Sequence, residues 1–107
     1  MTTVRETFEN MPASFKPEAA KGMNAVYQFD IVGDGGGKWY AAIADGKLTV
    51  GEGQHEKPGV TITMKTDHYL AMAEGKLGGM MAFATGKLKV KGDMILAAKM
   101  QAIFKQP

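Results

Sequence analysis

A chain of 107 residues, 45% hydrophobic and 22% charged, is long enough for one domain with its own core, spanning 1–107, and too apolar to be disordered. With no cysteine it lacks disulfides, thiolate metal ligands and a cysteine nucleophile, a usage that fits a reducing compartment. Net charge is only +2, and twelve of the thirteen basic residues are lysine. Arg5 alone offers a forked guanidinium, so a dedicated nucleic-acid binder is set aside.

The N-terminal MTTVRETFENMP places Arg5, Glu6 and Glu9 where a secretory signal would need an unbroken apolar run, and no later run approaches a membrane span. The closing FKQP matches no peroxisomal or endoplasmic-reticulum retrieval signal. The expected location is the cytoplasm. Val4, Phe8, Met11 and Phe15 recur at helical spacing, but Pro12 interrupts any helix and Pro17 opens a new turn.

From Asn24 to Val32 the period changes to two: Ala25, Tyr27, Phe29 and Ile31 share one parity, Asn24, Gln28 and Asp30 the other, which predicts a half-buried strand. GDGGG, residues 33–37, has the glycines of a phosphate-cradling loop, but KWYAAIA after it reads as a second strand where a dinucleotide fingerprint would need a helix. A hairpin turn is the better reading. Asp45-Gly46 marks a second turn, KLTVGEG a third strand, and VTITMK, residues 60–65, a fourth, so the sheet is expected to be a meander.

Thr66 is placed as a helix cap for TDHYLAMAEG, which ends near Gly75, with a short helical piece at Met80 to Ala84. Lys87 to Lys91 forms a fifth strand with Leu88 and Val90 inward, and Asp93 begins a last helix. Leu96, Met100, Ile103 and Phe104 make one face of that helix. Met94, Ile95, Ala98 and Ala102 leave the other side apolar too, interrupted by Lys99, Gln101 and Lys105. One face packs on the sheet, and the other needs a second explanation.

Catalytic chemistry is thin. Ser14, the only serine, lacks the flanking glycines of a nucleophile elbow, and His55 and His68, the only histidines, show no metal spacing. Asp67-His68-Tyr69 are neighbours on a helix and point in different directions. Residues 87–107 hold five basic and one acidic side chain against eight and ten in residues 1–86. The stripe Lys87, Lys89, Lys91 is the ordinary solvated face of a strand, and it also offers a footprint to an anionic membrane surface or a phosphate-bearing ligand. Nine methionines, six of them from Met64 onward, describe a soft core or a surface that adapts to apolar shapes.

The segments PEAAKGMNAVYQFDIVG, GGGKWYAAIADGKLTV, PGVTITMKTDHYLAMAEGKL and MAFATGKLKVKGDMILAAKMQ together resemble the sterol carrier protein type two family over residues 17–104, the GKLKVKGDM stretch most specifically. The resemblance implies an α+β fold: a five-stranded, largely antiparallel sheet covered by helices, with a hydrophobic tunnel between sheet and helices for fatty acids, acyl-CoA esters or sterol-like lipids. The lining residues expected on that basis are Trp39, Ile43, Met64, Met80, Met81, Phe83, Leu96, Met100, Ile103 and Phe104, with Gln101 as a polar contact. It implies no cofactor, no metal and no catalysis. The alternative is an accessory or regulatory module that contacts a protein partner through the same fold, and a homodimer is a further partner state to test.

Overall fold

The computed structural model describes residues 2–104. The reading of FKQP and the polar role of Lys105 therefore lie outside the described residues. At the N-terminus, α1 (Val4–Glu9) is closed by a capping box in which Thr3 and Glu6 satisfy each other's backbone N–H groups. Asn10 ends it, α2 (Met11–Ser14) follows with Pro12 in its first turn, and Pro17–Ala20 forms a 3₁₀ turn.

Five strands form one sheet in the order β3-β2-β1-β4-β5: β1 is Ala25–Val32, β2 Gly37–Ala44, β3 Lys47–Glu52, β4 Val60–Lys65 and β5 Leu88–Gly92. The first three are the expected meander, and Asp45 and Gly46 both take positive φ, 53° and 73°, at the β2–β3 turn. The meander ends there. β4 does not extend it but lies beside β1 in parallel, Tyr27 opposite Val60 and Ile31 opposite Met64, which makes the sheet mixed. β5 then pairs antiparallel with β4 at the edge.

Residues 53–59 make that crossover possible on the face away from the helices. Gln28, fully buried, donates to the carbonyl of Gly53 (3.1 Å) and accepts from the N–H of His55 (2.8 Å). Both ends of its amide are thereby satisfied. The His55 ring meets Tyr40 edge-on at 5.1 Å.

The other face carries the alternate residues and is covered by the helices: α1, α3 (Thr66–Ala73), α4 (Gly79–Ala84) and α5 (Met94–Ile103). Tyr27, Phe29, Ile31, Trp39, Ala41, Ile43, Val60, Ile62 and Met64 are all buried there, as period-two patterning demands. Thr66 does not cap α3. It is the first helical residue, after Lys65, and its hydroxyl donates to the Val32 carbonyl at 3.1 Å. Asp93 does cap α5, accepting from Ile95 and Leu96. Gly92 just before it has φ 110°, and a Cβ there would stand 2.6 Å from the Gly59 carbonyl oxygen. Only glycine lets β5 turn so tightly into α5.

Candidate functional site

The layer between sheet and helices is unevenly covered. At the α1–α3 end it is dense: the Phe8 ring stacks on Trp39 at 5.1 Å and on Tyr69 at 5.4 Å, and meets Phe29 edge-on at 5.1 Å. Arg5 lies over the outer side of Trp39, 5.1 Å from the ring centre, and bonds Glu52 at 3.0 Å. The Tyr69 hydroxyl donates to the Thr7 hydroxyl (2.8 Å), which donates to the Val4 carbonyl (2.7 Å).

At the α4–α5 end the cover is thinner. Ala82 is the buried residue of α4 and Ile103 that of α5, while Leu77, Leu88, Val90, Leu96 and Met100 pack against the core only partly covered. The stripe Leu96, Met100, Ile103 turns toward the sheet, as its i, i+4, i+7 spacing requires. Tyr27 rises from β1 and donates its hydroxyl to the Leu96 carbonyl at 2.7 Å, pinning the first turn of α5. α5 closes against the N-terminal segment, where the Lys16 N–H meets the Ile103 carbonyl at 2.7 Å and Phe104 faces Phe15, ring centres 5.8 Å apart.

The expected lining residues thus divide into groups. Leu96, Met100 and Ile103 form the face of α5 that packs on the core, with Phe104 at its end, and Met64 is buried on β4 between Ile31 and Leu88. Ile43 is buried on β2, with Ala25 and Leu48 as its strand partners. Trp39 is in the Phe8 stack and also lines a surface depression of about 380 Å³ with Arg5, Pro12 and Val50. Met80, Met81 and Phe83 stand on the outside of α4, 75%, 61% and 50% exposed. Gln101 is exposed beside the start of α4, its amide 3.2 Å from where a Cβ of Gly79 would be. A second depression of about 470 Å³ lies between the 3₁₀ turn and the β2–β3 hairpin, lined by Pro17, Lys21, Met23 and Asp45.

Sequence reasoning did not name Phe8, Tyr69 or Tyr27 as site residues, although it placed Tyr27 on the apolar parity of its strand. The i, i+4 pair Val4 and Phe8 was the available signal for the first, but the partner rings come from distant strands and helices. Burial pushes the Tyr69 hydroxyl up to about 12, and burial with the nearby Asp93 charge pushes Tyr27 up to about 12. Both are raised above the unfolded value near 10. Their contribution is therefore complete below about pH 10 and lost as pH climbs through about 12, of order 2–3 kcal/mol for Tyr69 and less for Tyr27, whose hydroxyl is partly screened by solvent. Urea unfolding followed from neutral pH into this range should show stability falling there, and the Tyr27→Phe/Tyr69→Phe variant should show a flatter profile. An equally steep profile in the variant would place the alkaline transition elsewhere.

Comparison with known proteins identifies the architecture. The profile of the SCP-2 sterol transfer family matches residues 6–105. Over 104 residues the chain is 38% identical to the hydroxysteroid dehydrogenase-like protein 2 of Bos taurus, covering 96% of this chain and 25% of that protein, so it spans about a quarter of that relative's length. Among solved structures, the palmitated sterol carrier protein 2-like 2 of Aedes aegypti superposes with a TM-score of 0.75 at 28% identity, covering 92% of this chain and 91% of that one. The apo sterol carrier protein 2 of Yarrowia lipolytica gives 0.69 at 27%, covering 91% and 85%. With the mixed five-stranded sheet and its one helical face, this match shows that the chain belongs to the SCP-2 sterol transfer family.

Proposed function

We propose that this chain is a non-catalytic module that binds or transfers a fatty acid, a fatty acyl-CoA or a sterol-like lipid in an apolar tunnel between the sheet and helices α4 and α5. The observation that carries the reading is the contrast between the two ends of the layer. Aromatic stacking locks the α1–α3 end, whereas α4 and α5 are held by Ala82, Ile103 and a set of long, partly covered side chains. Flexible methionine and leucine side chains can repack around a guest chain. The Aedes relative, solved in palmitated form, supports the acyl class.

Magnitudes suit a carrier. Burying an acyl chain of about sixteen carbons at roughly 0.8 kcal/mol per methylene yields at most about 12 kcal/mol. Association costs of several kcal/mol bring this toward roughly micromolar affinity. Such a ligand is held and still released.

Organic extraction of the purified protein followed by mass spectrometry, with titration of a fluorescent fatty acid, tests the proposal. An extracted acyl lipid and saturable uptake are expected. No recovered lipid and no uptake at micromolar concentration would overturn it. A second reading, an accessory module serving a catalytic partner, draws support from the chain spanning about a quarter of its dehydrogenase-like relative. A strict monomer by sedimentation that binds lipid and no protein partner would remove both that reading and the homodimer.

A further inference from the structure

The two edges of the sheet are guarded unequally. β5 carries Lys89 and Lys91 and follows Lys87, charges that hinder pairing with a further strand. β3, the opposite edge, has Leu48, Thr49, Val50 and Gly51 between Lys47 and Glu52, and the Glu52 carboxylate is held by Arg5 at 3.0 Å. Asp45 and Gly46 close a two-residue hairpin in which Ala44 and Lys47 face each other as a hydrogen-bonded pair. That phase turns the backbone groups of Lys47, Thr49 and Gly51 toward β2. The N–H and C=O groups of Leu48 and Val50 point outward, and among the described residues no other backbone group meets them.

The side chains of this edge divide between the two faces. Half-buried Leu48 and Val50 lie on the helix side, paired with Ile43 and Ala41, while Lys47, Thr49 and Gly51 lie on the open face. The helices do not seal the edge, for a depression of about 380 Å³ remains between Pro12 and Val50. On the open face the Tyr40 ring lies across Gly51, where a Cβ would stand 2.3 Å from its hydroxyl and ring carbon. Glycine inside a strand marks the close approach of another group, and here it lets the phenol reach the rim of the sheet.

We infer that β3 pairs antiparallel with β3 of a second copy about a two-fold axis at Thr49, so that the two sheets run on into one. The inference goes beyond the lipid reading and does not depend on it. Residues opposed across a sheet share a face, and a two-fold at Thr49 obeys this: each Leu48 meets the second copy's Val50, and each Lys47 meets the second copy's Gly51. Leu48 and Val50 then exchange the outward N–H and C=O groups, and their apolar side chains cover one another on the helix side. On the open face each Lys47 ammonium comes to the Tyr40 ring that lies over that glycine, an attraction of cation for aromatic ring. An unrelated strand would find the backbone groups but neither of these side-chain pairs, so the edge is complementary to itself.

The test is sedimentation from micromolar to near-millimolar concentration, because an interface made by one strand is small and its association weak. The parent protein should pass reversibly from monomer to dimer. Thr49→Lys, which sets like charges face to face on the axis at an exposed position, should weaken association at least about tenfold with circular dichroism unchanged. The chain has no cysteine, so Thr49→Cys adds a clean probe: the two residues face each other in a pair without hydrogen bonds, their Cα atoms about 4.5 Å apart and within disulfide reach. Under mild oxidation Thr49→Cys should cross-link at least about tenfold faster than Lys89→Cys on the guarded edge. A strict monomer at every concentration, a dimer indifferent to Thr49→Lys, or equal cross-linking at the two edges overturns the inference. If Thr49→Lys fails to fold, the cross-linking comparison decides alone.

Discussion

Met100→Glu will lower fatty-acid uptake at neutral pH by at least about tenfold, if the chain binds lipid under α5. Met100 sits between Leu96 and Ile103 on the stripe of α5 that packs toward the core. A glutamate there must lose water to stay in place, stay protonated far above its usual range, or swing out and lift the helix. Each course removes apolar surface from a guest chain. Met100→Leu keeps the volume and should cost under about 1.5 kcal/mol in stability and little uptake. Titration with a fluorescent fatty acid, with circular dichroism as the folding control, reads both. A folded glutamate variant that binds as well as the parent would show that Met100 does not line the ligand site.

Phe8→Ala will cost about 3–5 kcal/mol of stability, a large share of what a domain of this size has. Phe8 is fully buried and contacts three other rings, so truncation leaves a ring-sized cavity whose walls are held by the sheet on one side and α3 on the other. Phe8→Leu should lose less, since it refills most of the volume but none of the stacking. Urea denaturation measures the difference. A loss below about 1 kcal/mol would mean that α1 is not part of the cooperative core.

What could be read from sequence follows from how local each signal is. Ala25, Tyr27, Phe29 and Ile31 announce their strand by alternation alone, and Asp93 announces α5 because a cap acts within its own turn. The place of β4 is not local. Nothing within VTITMK says that it will bypass β2 and β3 to pair in parallel with β1, and the buried Gln28 that anchors the crossing looks from sequence like an outward residue of a half-polar strand. Thr66 fits the composition of a cap, yet its hydroxyl was claimed by Val32 on β1.

The candidate site divides in the same way. The α5 stripe was readable because helical spacing decides which residues share a face. Trp39 was placed with the lining residues on the resemblance, while its ring partner comes from α1. Met80, Met81 and Phe83 look like core, but a small residue, Ala82, carries the contact of α4 with the sheet, so its larger neighbours turn outward.

The strand order also governs how the chain assembles as it is made. The β1–β3 meander can form early from local contacts, but until residues 60–65 arrive β1 stands with one edge bare and its apolar face uncovered. The Lys16–Ile103 hydrogen bond then joins the segment before β1 to the end of α5. Long-range closures of this kind slow folding because chain entropy is lost before contacts repay it. The apolar face of this sheet stays sticky until α5 has emerged, and α5 is the element that seals it.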